Sequence, residues 1–292
     1  MSTPARDHSM PTAADQPLYR GLDRTQLDLA YNNTRAVAGF PAILADFQAR
    51  SARLYETRPG LRGAAYGPDP RQRFDGFACG RPDAPVFIFI HGGYWQATTK
   101  EDFAFIAEGP LAQGFDVVLA EYTLAPEASM TRIVADIGRL LDHLAATDGE
   151  FGLRGRRVVL SGHSAGGHLT AQYRSHPAVT HAMPISALVD LEPISLCWLN
   201  DKLQLTPAEI QAFSPLRQIG EGVPTLVTVG ADELPELVRH SRDYALAAQQ
   251  AGQTVRYLAL PGCHHFSVLD DLARPDGMQM RGLLALIDEG LS

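Results

Sequence analysis

The stretch VVLSGHSAGGHL, residues 158–169, runs from branched apolar residues into a Gly-His-Ser-Ala-Gly pentad and then into residues that can begin a helix. Strand, sharp turn and helix together form the setting in which Gly-x-Ser-x-Gly presents a serine nucleophile. A serine at the tip of so tight a turn takes a strained backbone conformation, and Gly162 and Gly166 leave room beside it. Ser164 is therefore expected to expose its hydroxyl above a sheet, close to the positive end of the following helix. An ordinary Gly/Ser turn uses the same letters, but it does not require the flanking strand or a second motif upstream.

That second motif is His91-Gly92-Gly93-Tyr94-Trp95, which follows the apolar run Pro85-Val86-Phe87-Ile88-Phe89-Ile90. The run is too short for a helix and too uniform for an edge strand, so it reads as a central strand buried on both faces. Glycines directly after it let backbone N–H groups approach an oxygen with no side chain in the way. Gly92, Gly93 and Ala165 are thus the expected oxyanion-hole donors. Tyr94 and Trp95 beside this loop, with Trp198 in the later segment Leu196-Cys197-Trp198-Leu199, are candidates for an aromatic substrate pocket.

Chains with this serine turn order their triad as serine, acid, histidine. Of ten histidines, only His264 and His265 fall after the last expected strand, in a turn opened by Pro261-Gly262. His265 is preferred as general base because Phe266 behind it can pack and fix the loop; His264 is the alternative. The acid is expected after the strand VPTLVTVG, where Glu233 stands three residues past Gly230 and Asp232 is its rival. Its work is to hold the imidazole in one tautomer and stabilise the imidazolium. His163 and His168 flank the serine too closely to act as its base and suit packing or capping roles. His91 suits a bracing role for the glycine turn.

The remaining chain alternates strands with helices. Helices are expected at 100–113, 129–146, 165–175, 235–251 and 277–290; strands at 115–120, 157–160, 182–189, 224–229 and 254–259, with a loop-rich excursion to 222. An alternating stretch at 71–79 reads as a half-solvated edge strand, preceded by a polar Pro/Gly connection. This pattern implies an α/β fold, a mainly parallel sheet with helices on both faces and every motif at the carboxyl ends of the strands. Residues 1–17 read as a disordered tail, 18–60 as a helical segment able to lie across the site as a lid, and 61–292 as the catalytic domain.

A net charge of -8 argues against a nucleic-acid partner or an anionic membrane. No run of about 18 apolar residues suggests a membrane span, and the N-terminal residues have no apolar signal core, so the cytoplasm is the expected location. Cys79, Cys197 and Cys263 lack the spacing of a disulfide framework or zinc site and are expected to be small buried hydrophobes. No metal is expected.

HGGYW (91–95), GHSAGGHL (162–169), Asp190-Leu191-Glu192-Pro193-Ile194 and the late His-Phe pair together resemble the arylformamidase (kynurenine formamidase) branch of the α/β-hydrolase superfamily. The likeness spans roughly residues 60–290, and Tyr31-Asn32-Asn33 is similar to a segment of bacterial relatives. It implies cofactor-free hydrolysis of N-formylkynurenine or a related aryl amide, ester or carbamate, with a small aromatic molecule as partner and a homodimer compatible. It carries over Ser164 as nucleophile, His265 as base and Gly92, Gly93 and Ala165 as oxyanion donors; relatives use either carboxylate of the Asp-Glu pair. A short-chain carboxylesterase without formamidase activity shares all these residues. A non-catalytic ligand-binding module would need none of them.

Overall fold

The computed structural model describes residues 16–289, so most of the expected N-terminal tail lies outside the described residues. Eight strands form one sheet: β1 (Leu61–Ala65), β2 (Arg73–Phe77), β3 (Val86–Ile90), β4 (Asp116–Ala120), β5 (Val158–His163), β6 (His181–Ile185), β7 (Thr225–Gly230) and β8 (Val255–Leu260). Their order is β1-β2-β4-β3-β5-β6-β7-β8. The first two pair antiparallel, and every pairing from β4 onward is parallel. This is the α/β-hydrolase arrangement, with β3 between β4 and β5.

The uniform apolar character of β3 has a direct packing cause. Alternate side chains leave a strand on opposite faces. Val86, Ile88 and Ile90 join one core cluster, while Phe87 and Phe89 join the other. The first cluster is closed by α5 (Met130–Ala146), which buries Ile133, Ile137, Leu140, Leu141 and Leu144. Ser129 caps that helix by accepting from the Arg132 N–H. The second cluster is closed by α3 (Phe40–Thr57), α11 (Ser267–Ala273) and α12 (Met278–Glu289).

Three expectations need correction. Residues 73–77 are not an edge strand: β1 lies outside them, in the Gly- and Pro-rich stretch taken as a connection. That strand is short and largely exposed, so it carries no apolar alternation to announce it. The helix expected at 100–113 is a 3-10 segment, Lys100–Ala107, followed by α4 (Glu108–Ala112). The turn after β8 contains α11, which was not foreseen. The excursion after β6 holds three short helices, α7 (Glu192–Ser195), α8 (Asn200–Leu203) and α9 (Pro207–Ala212), before the long α10 (Pro235–Gln250).

Within the segment expected to be helical, two short helices, α1 (Arg24–Ala30) and α2 (Asn33–Ala36), precede α3. Pinning occurs at both ends of this segment. On one side the Tyr19 hydroxyl donates to Asp190 at 2.9 Å and the Trp198 N–H donates to Asp28 at 2.7 Å. At the other, Phe47 stacks on Phe105 at 4.5 Å, and Ser51 accepts from the Phe105 N–H. No helix among the described residues is long and apolar enough to cross a membrane. All three cysteines are free thiols, Cys197 buried and the other two half-buried.

Candidate active site

Ser164 sits between the end of β5 and the start of α6 (Ala165–Gln172), with φ 56° and ψ -114°. Its N–H donates to the Ile185 carbonyl at 2.8 Å, which ties the turn to β6. The pentad glycines are required by crowding: a Cβ on Gly166 would collide with the Ile90 carbonyl, and one on Gly162 with the carbonyl of Gly166. Only without those side chains can α6 lie this close to β3.

The structure brings one acid and one histidine together from the two candidate pairs. His265 Nδ1–H donates to Glu233 Oε2 at 2.6 Å, with both side chains buried. The other carboxylate oxygen, Oε1, accepts from the Ser186 hydroxyl at 2.5 Å and the Gly230 N–H at 2.7 Å. Asp232 is exposed, and its N–H donates to the Cys263 carbonyl, joining the acid loop to the histidine loop. His264 turns its Nδ1 to the N–H groups of Phe266 and Ser267, at the entry to α11. With Nδ1 protonated toward Glu233, the free lone pair of His265 is on Nε2.

Ser164 and His265 line one cavity of about 190 Å³, although among the described residues the serine hydroxyl makes no hydrogen bond. Such contacts are often long without substrate and tighten in the complex. His163 lines the same cavity and donates from Nε2 to the His265 carbonyl at 2.8 Å. Burial and the neighbouring His265 push its pKa well below the ordinary range, so it is neutral.

The glycine loop after β3 is strained. Gly93, Tyr94 and Trp95 all have positive φ, at 107°, 57° and 59°, and such non-glycine conformations cost about 1–3 kcal/mol each. Among the described residues nothing accepts from the N–H of Gly92, Gly93 or Ala165. A buried network holds the loop in place. His91 Nδ1 lies 2.7 Å from the Gly92 carbonyl and Nε2 3.0 Å from Glu121. Glu121 also accepts from Arg71 at 2.6 Å and from the Tyr122 N–H at 2.9 Å. The Tyr122 ring stacks on His91 at 4.5 Å.

Burial opposes ionisation of Glu121, but His91 and Arg71 together hold its carboxyl below the ordinary 4.5. A carboxyl with a lower pKa folded than unfolded adds stability that is complete above the unfolded value and is lost as pH falls through the folded one. Glu121→Gln is therefore expected to lower stability at pH 7 by about 1.5–3 kcal/mol. It should also flatten the decline of stability below pH 4.5. Urea melts of both proteins across that range provide the check, and parallel slopes would show that Glu121 is not the group held ionised.

The cavity walls differ in part from expectation. Tyr94 lines the cavity, but Trp95 does not: it is 0% exposed and packs edge-on against His168 at 5.1 Å. Trp198 sits against Tyr94 at 5.3 Å, away from the cavity lining. The aromatic and apolar walls are instead Phe40, Leu44, Phe47, Phe103 and Phe266, three of them from α3. Glu121 and Ser186 were also missed. An acid directly after a buried strand was a usable signal for Glu121; Ser186 carried none.

The family model BD-FAE matches residues 79–176. The chain is similar to a kynurenine formamidase of Danio rerio, 26% identical over 92% of this chain and 98% of that protein. It is 30% identical to a kynurenine formamidase of Salmo salar over 66% of this chain and 70% of the relative. Among solved structures, a putative thioesterase from Silicibacter sp. TM1040 superposes with a TM-score of 0.78 at 28% identity, covering 90% of this chain and 99% of that one.

Proposed function

Since the chain belongs to the kynurenine formamidase family of α/β-hydrolases, we propose that it is a serine hydrolase cleaving a small aryl formamide of the N-formylkynurenine kind through an acyl-enzyme. The observation that carries this reading is the buried Glu233–His265 pair opening, with Ser164, onto one apolar cavity.

In this mechanism His265 Nε2 takes the Ser164 proton as Oγ attacks the formyl carbon. The carbonyl π electrons move onto oxygen, and the N–H groups of Gly92, Gly93 and Ala165 hold the resulting oxyanion. Each such donor contributes about 2.7–4 kcal/mol of transition-state stabilisation. The adduct collapses, the C–N bond breaks, and His265 delivers its proton to the departing arylamine. Water then attacks the formyl-serine by the same route, releasing formate and restoring the serine. Glu233 holds the imidazole tautomer and balances its charge, while Asp232 takes no part.

The cavity supports a small substrate, since about 190 Å³ falls below the roughly 300–1,000 Å³ of drug-sized sites. We assign Phe40, Phe47, Tyr94, Phe103 and Phe266 to the aryl ring. Residues 18–60 serve as the cap and 61–292 as the catalytic domain, with Phe40 and Phe47 the cap's contribution to the ring site. A paired assay tests the reading: kcat/KM for aryl formamides should exceed that for the matching aryl acetates, and Phe40→Ala should admit bulkier aryl groups. Turnover of esters with no cleavage of any formamide would leave the chain a short-chain carboxylesterase.

A further inference from the structure

We propose that His163 is a specificity-determining residue that fits the site to amides: its Nδ1 accepts the N–H of the scissile formamide while the nitrogen turns to leave. The assignment rests on the serine-hydrolase reading above and adds a partner for the one hydrogen that an amide carries and an ester does not. When Ser164 Oγ bonds to the formyl carbon, the nitrogen loses its conjugation with the carbonyl and becomes pyramidal. Its lone pair must face His265 Nε2 to take the proton, which directs its own N–H elsewhere in the cavity. An N–H enclosed by apolar walls without an acceptor carries the cost of its lost hydration. The leaving oxygen of an ester has no such hydrogen to place.

His163 is 2% exposed, and it lines the cavity together with Ser164 and His265. Its Nε2 is 2.8 Å from the His265 carbonyl, which can only accept, so this nitrogen carries the proton of the ring. Burial keeps the imidazole neutral. Nδ1 is therefore a bare acceptor, and among the described residues nothing donates to it. It stands beside the reacting atoms: a Cβ on Gly92 would lie 3.2 Å from Nδ1 and 3.3 Å from the Ser164 Cβ, so both flank one side of the oxyanion loop. The His163 and His265 rings are 4.5 Å apart between centroids. Other polar side chains in the walls are engaged by the chain itself. Thr34 donates to Asn32 at 3.0 Å, Thr98 donates to the Gly92 carbonyl at 2.9 Å, and the Tyr94 hydroxyl accepts from the Asn33 N–H at 2.9 Å.

The test measures kcat/KM for an aryl formamide and for the benzyl formate of the same ring, whose leaving amine and alkoxide both depend on the His265 proton. Wild type is compared with His163→Phe and His163→Leu. Each variant loses the tie to the His265 carbonyl, which lowers both substrates alike, and the acceptor, which lowers the formamide alone. The formamide-to-formate ratio should therefore fall about tenfold in either variant, the scale of one buried hydrogen bond. A second measurement needs no variant. An N-aryl phosphoramidofluoridate loses fluoride to Ser164 and keeps its N–H on a tetrahedral centre; a crystal structure of that wild-type adduct should place the nitrogen within about 3.2 Å of His163 Nδ1. An unchanged ratio in a folded variant, or an adduct whose N–H meets another acceptor, overturns the assignment. Wild type that cleaves the formate but no formamide overturns it together with the formamide reading and leaves a serine esterase. Wild type inactive on both substrates and unlabelled at Ser164 overturns the hydrolase reading itself, and the assignment with it.

Discussion

Ser164→Ala is expected to lower kcat about a millionfold on any aryl formamide or aryl acetate the wild type hydrolyses, because removing the nucleophile of a triad leaves only binding and oxyanion stabilisation. The fold should be unaffected. The hydroxyl makes no hydrogen bond among the described residues, and the turn is held by the Ser164 N–H to Ile185 and by the close approach of Gly166 to β3. A fluorophosphonate probe should label the wild type at Ser164 and leave the variant unlabelled. Turnover within a factor of ten of wild type, or labelling elsewhere, would remove the serine from the mechanism.

Glu233→Gln is expected to lower kcat about ten-thousandfold with little change in KM, the effect of disturbing the imidazole tautomer of a triad. The native carboxylate accepts from three donors: Ser186, the Gly230 N–H and His265. An amide cannot replace it. If its oxygen faces His265, its NH2 meets the Gly230 N–H, donor against donor. If its NH2 faces His265, the ring must carry its proton on Nε2, where the serine needs a base. Circular dichroism would confirm the fold, and Asp232→Asn assayed on a neutral substrate should remain near wild type. Equal losses in the two variants would mean that Glu233 is not the acid of the site.

Much of this arrangement was legible along the chain. The turn around Ser164, the buried β3, the face of α5 and the position of the glycine loop follow from patterns a few residues long. What escaped has identifiable causes. Residues 61–65 form a strand because β2 offers them a free edge, not because their own side chains demand it. Trp95 looked like a pocket residue from its place beside Tyr94, but successive left-handed conformations turn it into the core. Phe40 and Phe47 reach the cavity because α3 is laid against the 3-10 segment at 100–107, a docking absent from either segment alone.

By itself the sequence determined the sheet class, the serine turn and the short list of chemical partners, since strand and helix periods and the crowding of a tight turn are set by neighbouring residues. The folded chain sorted near-equals by position: Glu233, not the exposed Asp232, pairs with His265, and α3, not Trp95 or Trp198, lines the cavity. Those choices depend on which side chain points inward when loops distant in sequence meet at the ends of β6, β7 and β8. Burial then sorts otherwise equivalent groups, enclosing the carboxylate that finds three donors and leaving its neighbour to solvent.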